Sequence, residues 1–199
     1  NQDYYIIPNE LKKIGSTFTS YLYRLIYEKI LFKVDDEKYI TISKLNKMGI
    51  YESDIDEFIN NIEKIIPENE YFNLHILNTD FESKLFNYDF PDCFFENIIM
   101  IINDVKMFRL KNNILFIKTT ETATREKFIN SFIIKDKTYI SEIKKKIKCK
   151  YDIDLQESYI KEFINKNKYY LQSNTNCVYL NKEKYEEEIN QWDILQYID

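Results

Sequence analysis

The chain holds only two glycines in 199 residues, with three prolines, three cysteines, one histidine and one tryptophan. Each shortage excludes a class of chemistry. Gly15 and Gly49 alone build neither a dinucleotide-binding fingerprint nor a P-loop, because both need several glycines to bring backbone close to phosphate. A nucleophile elbow also needs glycines on both sides of its serine. His75 stands by itself, which argues against multi-histidine metal centres and most histidine-based acid–base catalysis. Cys93, Cys149 and Cys177 are odd in number and far apart. They suit neither a disulfide framework nor a zinc site, and a reducing, cytoplasmic setting is the expectation. No run of about 18 apolar residues occurs, so no membrane-spanning helix is expected. Residues 1–10 lack the basic and apolar regions of a secretory leader. Asn1 rather than Met stands first, which fits a fragment or a processed chain.

What is abundant is apolar and aromatic: 44% and 16% of the residues. That is enough for packed cores and argues against general disorder. Asn, Lys, Ile and Tyr are used so heavily that any single one carries little functional weight. The net charge of −5 hides an asymmetry. Residues 105–170 carry 16 Lys/Arg against 8 Asp/Glu, and the rest of the chain 12 against 25. Such polarity between regions signals a partner or, failing that, an uneven solvated surface.

Apolar spacing predicts the elements. Leu22, Leu25, Ile26 and Ile30 mark one face of a helix over residues 10–32, followed by a charged connection over 34–38. Residues 39–42 lead into a helix over 43–48 that Gly49 terminates. Ser53 opens the next helix, with Asp54 and Asp56 in its first turn. Its buried face is Ile55, Phe58, Ile59, Ile62 and Ile66, and Pro67 closes it. The pattern restarts at residues 71–74, with short helical pieces over 75–78 and 81–86. Pro91 and Asp92 then open a helix through Phe94, Phe95, Ile98, Ile99 and Ile102. Residues 106–110 and 114–118 flank Lys111, Asn112 and Asn113 as a hairpin. A short helix follows over 122–132. It restarts again at Tyr139 and Ile140, with Ser141 as cap and Ile143 and Ile147 as inner face. A helix over 157–165, strands over 169–172 and 177–180 around a turn at 173–176, and a helix over 182–190 capped by Asn181 complete it. Trp192 follows. Similar signals therefore recur at roughly 30 to 70 residues, a degenerate repeat. One larger helical domain is the alternative.

The third pass, in "TYISEIKKKI", "DLQESYIKEFI" and "KYYLQSNTNCVYLNKEKYEEEI", runs strand, helix, turn, helix, two-strand wing. It resembles the winged helix-turn-helix family. "YFNLHIL", "FFENIIMIIND" and "MFRLKNNILFIKTT" are similar. Together they look like tandem winged-helix segments in the tails of large regulatory proteins of low-GC Gram-positive bacteria. The resemblance rests on element order over about residues 71–189, and less fully over 39–74. It implies that the second helix of each unit enters a DNA major groove while the wing touches the backbone. Those helices would be residues 53–65, 91–104 and 156–165. The first displays Asp54, Asp56, Glu57 and Glu63, and the second Asp92 and Glu96. Acid there repels phosphate, which dominates affinity for DNA. The third is mixed, with Gln156, Ser158, Lys161 and Asn165 against Glu157 and Glu162.

The expected fold is α+β, mainly α with short β-hairpin wings, in tandem winged-helix-like units. The expected divisions are a helical segment over 1–36, a degenerate unit over 37–70, and units over 71–133 and 134–199. No enzyme, cofactor or metal is expected. Asp35 with Asp36, Asp54 with Asp56, Asp152 with Asp154, and residues 186–188 read as solvated faces or caps. The strongest charge feature is Lys144, Lys145, Lys146, Lys148 and Lys150. The three consecutive lysines fan around the side of the helix that Ile143 and Ile147 leave free. With Lys161, Lys166 and Lys168 they form the candidate nucleic-acid surface, with Tyr169 and Tyr170 as possible stacking partners and Lys111 as a wing contact. A solvated helix face is the bland alternative. A protein-interaction scaffold using acidic helices and aromatic patches is the second functional expectation, with Trp192 as an anchor or a partner contact.

Overall fold

A lysine, rather than a glycine or proline, ends the long N-terminal helix. Helix α1 (Ser16–Tyr27) stops where Lys29 turns left-handed at φ 55. The Lys29 N–H donates to the Ile26 carbonyl and the Ile30 N–H to the Leu25 carbonyl, both at 2.9 Å. This closure satisfies carbonyls that a helix end leaves open. The helix expected over residues 10–32 is therefore shorter, because Leu31 and Phe32 bury themselves in a strand instead. Strand β2 (Leu31–Lys33) pairs antiparallel with β3 (Lys38–Thr41), Phe32 opposite Ile40. The charged connection is thus the turn of a hairpin. Strand β1 (Tyr5–Ile6) pairs with the other edge of β3.

The structure is a computed structural model. It describes residues 4–8, 11, 13, 15–35, 37–77, 81–165, 168–172 and 175–196, the last six by their backbone alone. Thr41 caps helix α2 (Ile42–Lys47), its hydroxyl accepting the Lys44 N–H at 3.2 Å. Gly49 ends it at φ 87, as its position in the sequence implies. The Ile50 N–H then reaches back to the Leu45 carbonyl at 2.9 Å, with both side chains buried. In helix α3 (Glu52–Ile65) the Asp54 carboxylate accepts the Tyr51 N–H at 2.7 Å. Strand β4 (Tyr71–Phe72), a 3-10 helix (Lys84–Asn87) and helix α4 (Asp92–Ile99) follow. Then come the long strands β5 (Val105–Leu110) and β6 (Asn113–Lys118). Next are α5 (Arg125–Asn130), β7 (Lys137–Tyr139), α6 (Ile140–Tyr151) and α7 (Glu157–Glu162). Strands β8 (Tyr170–Gln172) and β9 (Cys177–Tyr179) and helix α8 (Lys182–Gln196) complete the chain. Tyr139, not Ser141, is the cap of α6. Helix α8 runs past residue 190, so the backbone of Trp192 lies within it rather than after it. The Trp192 side chain, expected as an anchor, lies outside the described residues.

The fold is α+β, with three small antiparallel sheets of three strands in the orders β1-β3-β2, β4-β6-β5 and β7-β9-β8. In each sheet the first strand pairs with the third, and the second lies at the far edge. Two units emerge, residues 1–107 with 114–122, and residues 108–113 with 123–199. The β5–β6 turn belongs to the second. The first unit is centred on Phe32, Leu45, Phe58, Ile62, Phe72, Phe94, Ile98 and Phe116, all 1% exposed or less. Phe58 touches the rings of Phe81, Phe86 and Phe95 at 5.6 to 5.8 Å. The second unit buries Phe128, Ile140, Ile143, Ile147, Ile160, Val178 and Tyr179. No helix among the described residues is long and apolar enough to cross a membrane.

Candidate nucleic-acid interface

Helix α6 forms because its apolar residues fall on one stripe. Ile140, Ile143, Ile147 and Tyr151 are buried, recurring at three- and four-residue spacing. The lysines are thereby divided. Lys144 and Lys148 lie on one flank, Lys145 faces outward, and Lys146 and Lys150 lie on the other flank.

Most of these cations already have partners. Lys144 pairs with Asp154 at 3.3 Å and Lys148 with Asp152 at 2.6 Å. The hydrogen bond to Asp152 holds the Lys148 ammonium above its ordinary pKa. Asp152 ends the helix in a left-handed conformation at φ 56, and this turn places both acids along the Lys144–Lys148 flank. Lys150 lies 5.6 Å from the centre of the Tyr151 ring. Lys161 donates to the Asn176 side-chain oxygen, and the Asn176 amide donates to Glu157 at 3.1 Å. That chain ties α7 to the β8–β9 turn. Lys168 is exposed and lies 5.3 Å from the Tyr169 ring. Lys145 is exposed and Lys146 half-buried, and neither has an ion-pair partner among the described residues. Lys166 lies outside the described residues. The tyrosines expected to stack on bases are committed to packing: Tyr169 is buried, and Tyr170 stacks on Tyr185 at 5.5 Å.

Two further lysines serve structure. Lys135 approaches Glu142 at 3.9 Å. Lys137 donates to Glu188 at 2.5 Å, and the buried Tyr179 hydroxyl donates to the same carboxylate oxygen at 2.9 Å. This triad fastens α8 to sheet β7-β9-β8. Its hydrogen bond to Glu188 raises the Lys137 pKa. Burial and the Glu188 contact push the Tyr179 phenol up to about 12. Lys137, with help from Tyr179, holds Glu188 below the usual carboxylate range.

A different set of cations gathers around α7. The alternation of β5 turns Phe108 and Leu110 inward and leaves Arg109 and Lys111 exposed. Phe108 meets the Phe128 ring at 5.8 Å, a contact within the second unit. Lys111, left-handed at φ 55, lies 5.4 Å from the Tyr159 ring. Tyr159 touches Phe163 at 5.0 Å, and Arg125 lies 6.0 Å from the Phe163 ring. The Arg125 guanidinium also donates to the Arg109 carbonyl at 2.5 Å. Lys111, Tyr159, Phe163 and Arg125 therefore form one connected strip, joined to the exposed Arg109 through its backbone carbonyl. Among the described residues, none of its three cations has an ion-pair partner, although Glu126 and Glu162 are near in sequence. Lys111 was the one member expected from sequence. The in–out alternation of β5 also marked Arg109, but nothing local connects Arg125 to the hairpin.

No three-residue group of His, Cys, Asp or Glu able to hold a metal ion occurs among the described residues. Asp54 and Asp56, a possible acid pair, are engaged by Lys84 and Lys29 respectively. Among known proteins, the chain matches no family model, no curated protein and no solved structure.

Proposed function

We propose that the chain is a non-catalytic, nucleic-acid-associated regulatory module built of tandem winged-helix-type units. The observation that carries the binding part is the cation surface of the second unit. This unit has 16 Lys/Arg against 13 Asp/Glu, while the first has 12 against 20. Lys145, Arg109, Lys111 and Arg125 are exposed and Lys146 is half-buried, and none of them has an acid partner among the described residues. Phosphate is attracted to such groups, and counterions condensed on the nucleic acid are released on binding. The strand orders support the winged-helix part. A winged unit runs strand, helix, helix, hairpin, with the first strand against the last, and β4-β6-β5 and β7-β9-β8 follow that order. Short α7 displays Gln156, Ser158 and Glu162, with Lys161 tied inward. Backbone contact suits that surface better than reading of base edges.

The test is binding of the whole chain to duplex and single-stranded DNA and to RNA across a salt series. The expected result is micromolar-range binding at low salt that weakens steeply as salt rises. Absence of binding at low salt would refute the reading.

One observation favours a protein partner for the first unit. Tyr23, Arg24, Ile26 and Tyr27 on α1 border an open cleft of about 420 Å³ with Met100 and Ile101. Tyr23 and Tyr27 are 43% and 60% exposed, and exposed aromatics beside arginine are typical interface anchors. Replacing both tyrosines with serine should abolish a protein contact and leave nucleic-acid binding intact. Recovery of nucleic acid alone from the source cell would count against this second reading.

A further inference from the structure

Resting on the nucleic-acid reading above, we infer that the phosphate grip is the strip Arg109–Lys111–Arg125 over Tyr159 and Phe163, not the lysine-rich helix α6. We infer further that it holds the backbone of a duplex. Three observations carry this. First, all three strip cations are exposed and have no ion-pair partner among the described residues, whereas on α6 the Lys144 and Lys148 flank is matched by Asp154 and Asp152, and of the unmatched Lys145 and Lys146 the second is half-buried. A cation already neutralised by a carboxylate attracts a phosphate less and displaces fewer of the counterions condensed on the nucleic acid. Second, the strip is preorganised. Lys111 and Arg125 lie over aromatic rings, and Arg125 is pinned to the Arg109 carbonyl. A long side chain held this way loses less rotamer freedom on binding than one waving in water. Third, the rings lie beneath cations, so they are not open platforms for unpaired bases. Single strands gain most of their sequence-tolerant affinity from such platforms. What remains is cation contact with phosphates, which the dense charge of a duplex rewards.

The experiment uses the whole chain, two 20-base-pair duplexes of unrelated sequence and one of their single strands, with fluorescence anisotropy over about 50–200 mM salt. Wild type should bind both duplexes equally and the single strand more weakly. The triple variant Arg109→Gln, Lys111→Asn, Arg125→Gln should lose most duplex binding. Asn is chosen at 111 because it accepts the left-handed backbone. With about 0.9 counterion released per phosphate contact, the log–log salt slope should fall by roughly 2 to 3. A control variant with the same charge change at ion-paired lysines, Lys135→Gln, Lys144→Gln, Lys148→Gln, should keep most of the slope. Circular dichroism melts of both variants establish that they fold, and single Lys111→Asn, at an exposed turn, provides the same test with less perturbation. If wild type binds but the control loses as much slope as the strip variant, or the single strand binds best, the inference fails and the broader reading stands. If wild type binds no nucleic acid at low salt, the broader reading fails with it.

Discussion

Helix α6 and the β5–β6 turn are both rich in cations, but they hold them differently. Helix α6 carries five lysines within seven residues, 144–150. Its Lys144 and Lys148 flank is closed by acids from its own C-terminal turn. The turn contributes only Arg109 and Lys111. There the neighbours are aromatic, and Arg125 joins from a separate helix. Density of lysine in a sequence therefore measures charge, while availability depends on what folds against it. A carboxylate cancels a cation's field, whereas an aromatic face positions the cation and leaves its charge intact.

Five variants would break or sharpen that contrast. The largest concerns what α6 is for. If its apolar stripe is its main contribution, Ile143→Ala, at a site with no exposure, should cost about 2–5 kcal/mol in denaturant unfolding of the chain. A loss below about 1 kcal/mol would mean that α6 is not a packing element. Next is the triad that fastens α8. Glu188→Gln should cost on the order of 1 kcal/mol, because the pair is partly exposed and screened. The pH dependence has a definite sign. Glu188 is held below its ordinary value of 4.5, so its contribution is present above that value and disappears as pH falls through the folded pKa. Glu188→Gln should flatten this acid limb. Tyr179 is raised from 10.0 to about 12, so its contribution is whole below pH 10 and declines between there and about 12. Tyr179→Phe should remove that alkaline decline, and stability measured from pH 3 to 12 checks both.

Smaller still is the aromatic support of the strip. Tyr159→Leu keeps an apolar side chain but removes the ring under Lys111. Cation–π contact at exposed sites is worth about 0.5–1 kcal/mol. Duplex affinity should therefore drop about two- to fivefold with little change in salt slope, since the charge count is unaltered. An unchanged affinity would show that the ring does not position Lys111. The smallest effect is expected from Asp152→Asn with Asp154→Asn, which unmasks Lys144 and Lys148. Stability should be nearly unchanged, as exposed pairs contribute little. Duplex binding should strengthen a fewfold at low salt. A larger gain than the strip variant's loss would return α6 to the centre of the interface.

Helices with a clear apolar period and an explicit stop were legible in the sequence. Gly49 ends α2, and Ile55, Phe58 and Ile62 define the inner face of α3, all read from spacing alone. The hairpins at 105–118 and 170–179 were legible from alternation and polar turns. The first hairpin was not, because Lys29 ends α1 by adopting a conformation usually left to glycine. Nor was the extent of α8, whose acidic run gives no strong apolar period. At the candidate site, sequence located the lysines of α6 but not their partners. Asp152 and Asp154 lie within eight residues of Lys146, close enough to suspect, but only the left-handed turn at Asp152 sets them beside the helix.

Composition by itself determined that two glycines and one histidine support no phosphate loop and no multi-histidine centre. Periodicity determined most helices and two of the three hairpins, because burial of an apolar stripe is a local pattern. Tertiary structure decided which charges remain available. Arg125 reaches Arg109 across sixteen residues of chain, and Lys111 reaches Tyr159 across a still longer separation. Coulombic and cation–π contacts act over a few ångströms in space, and no spacing rule along the chain encodes that proximity.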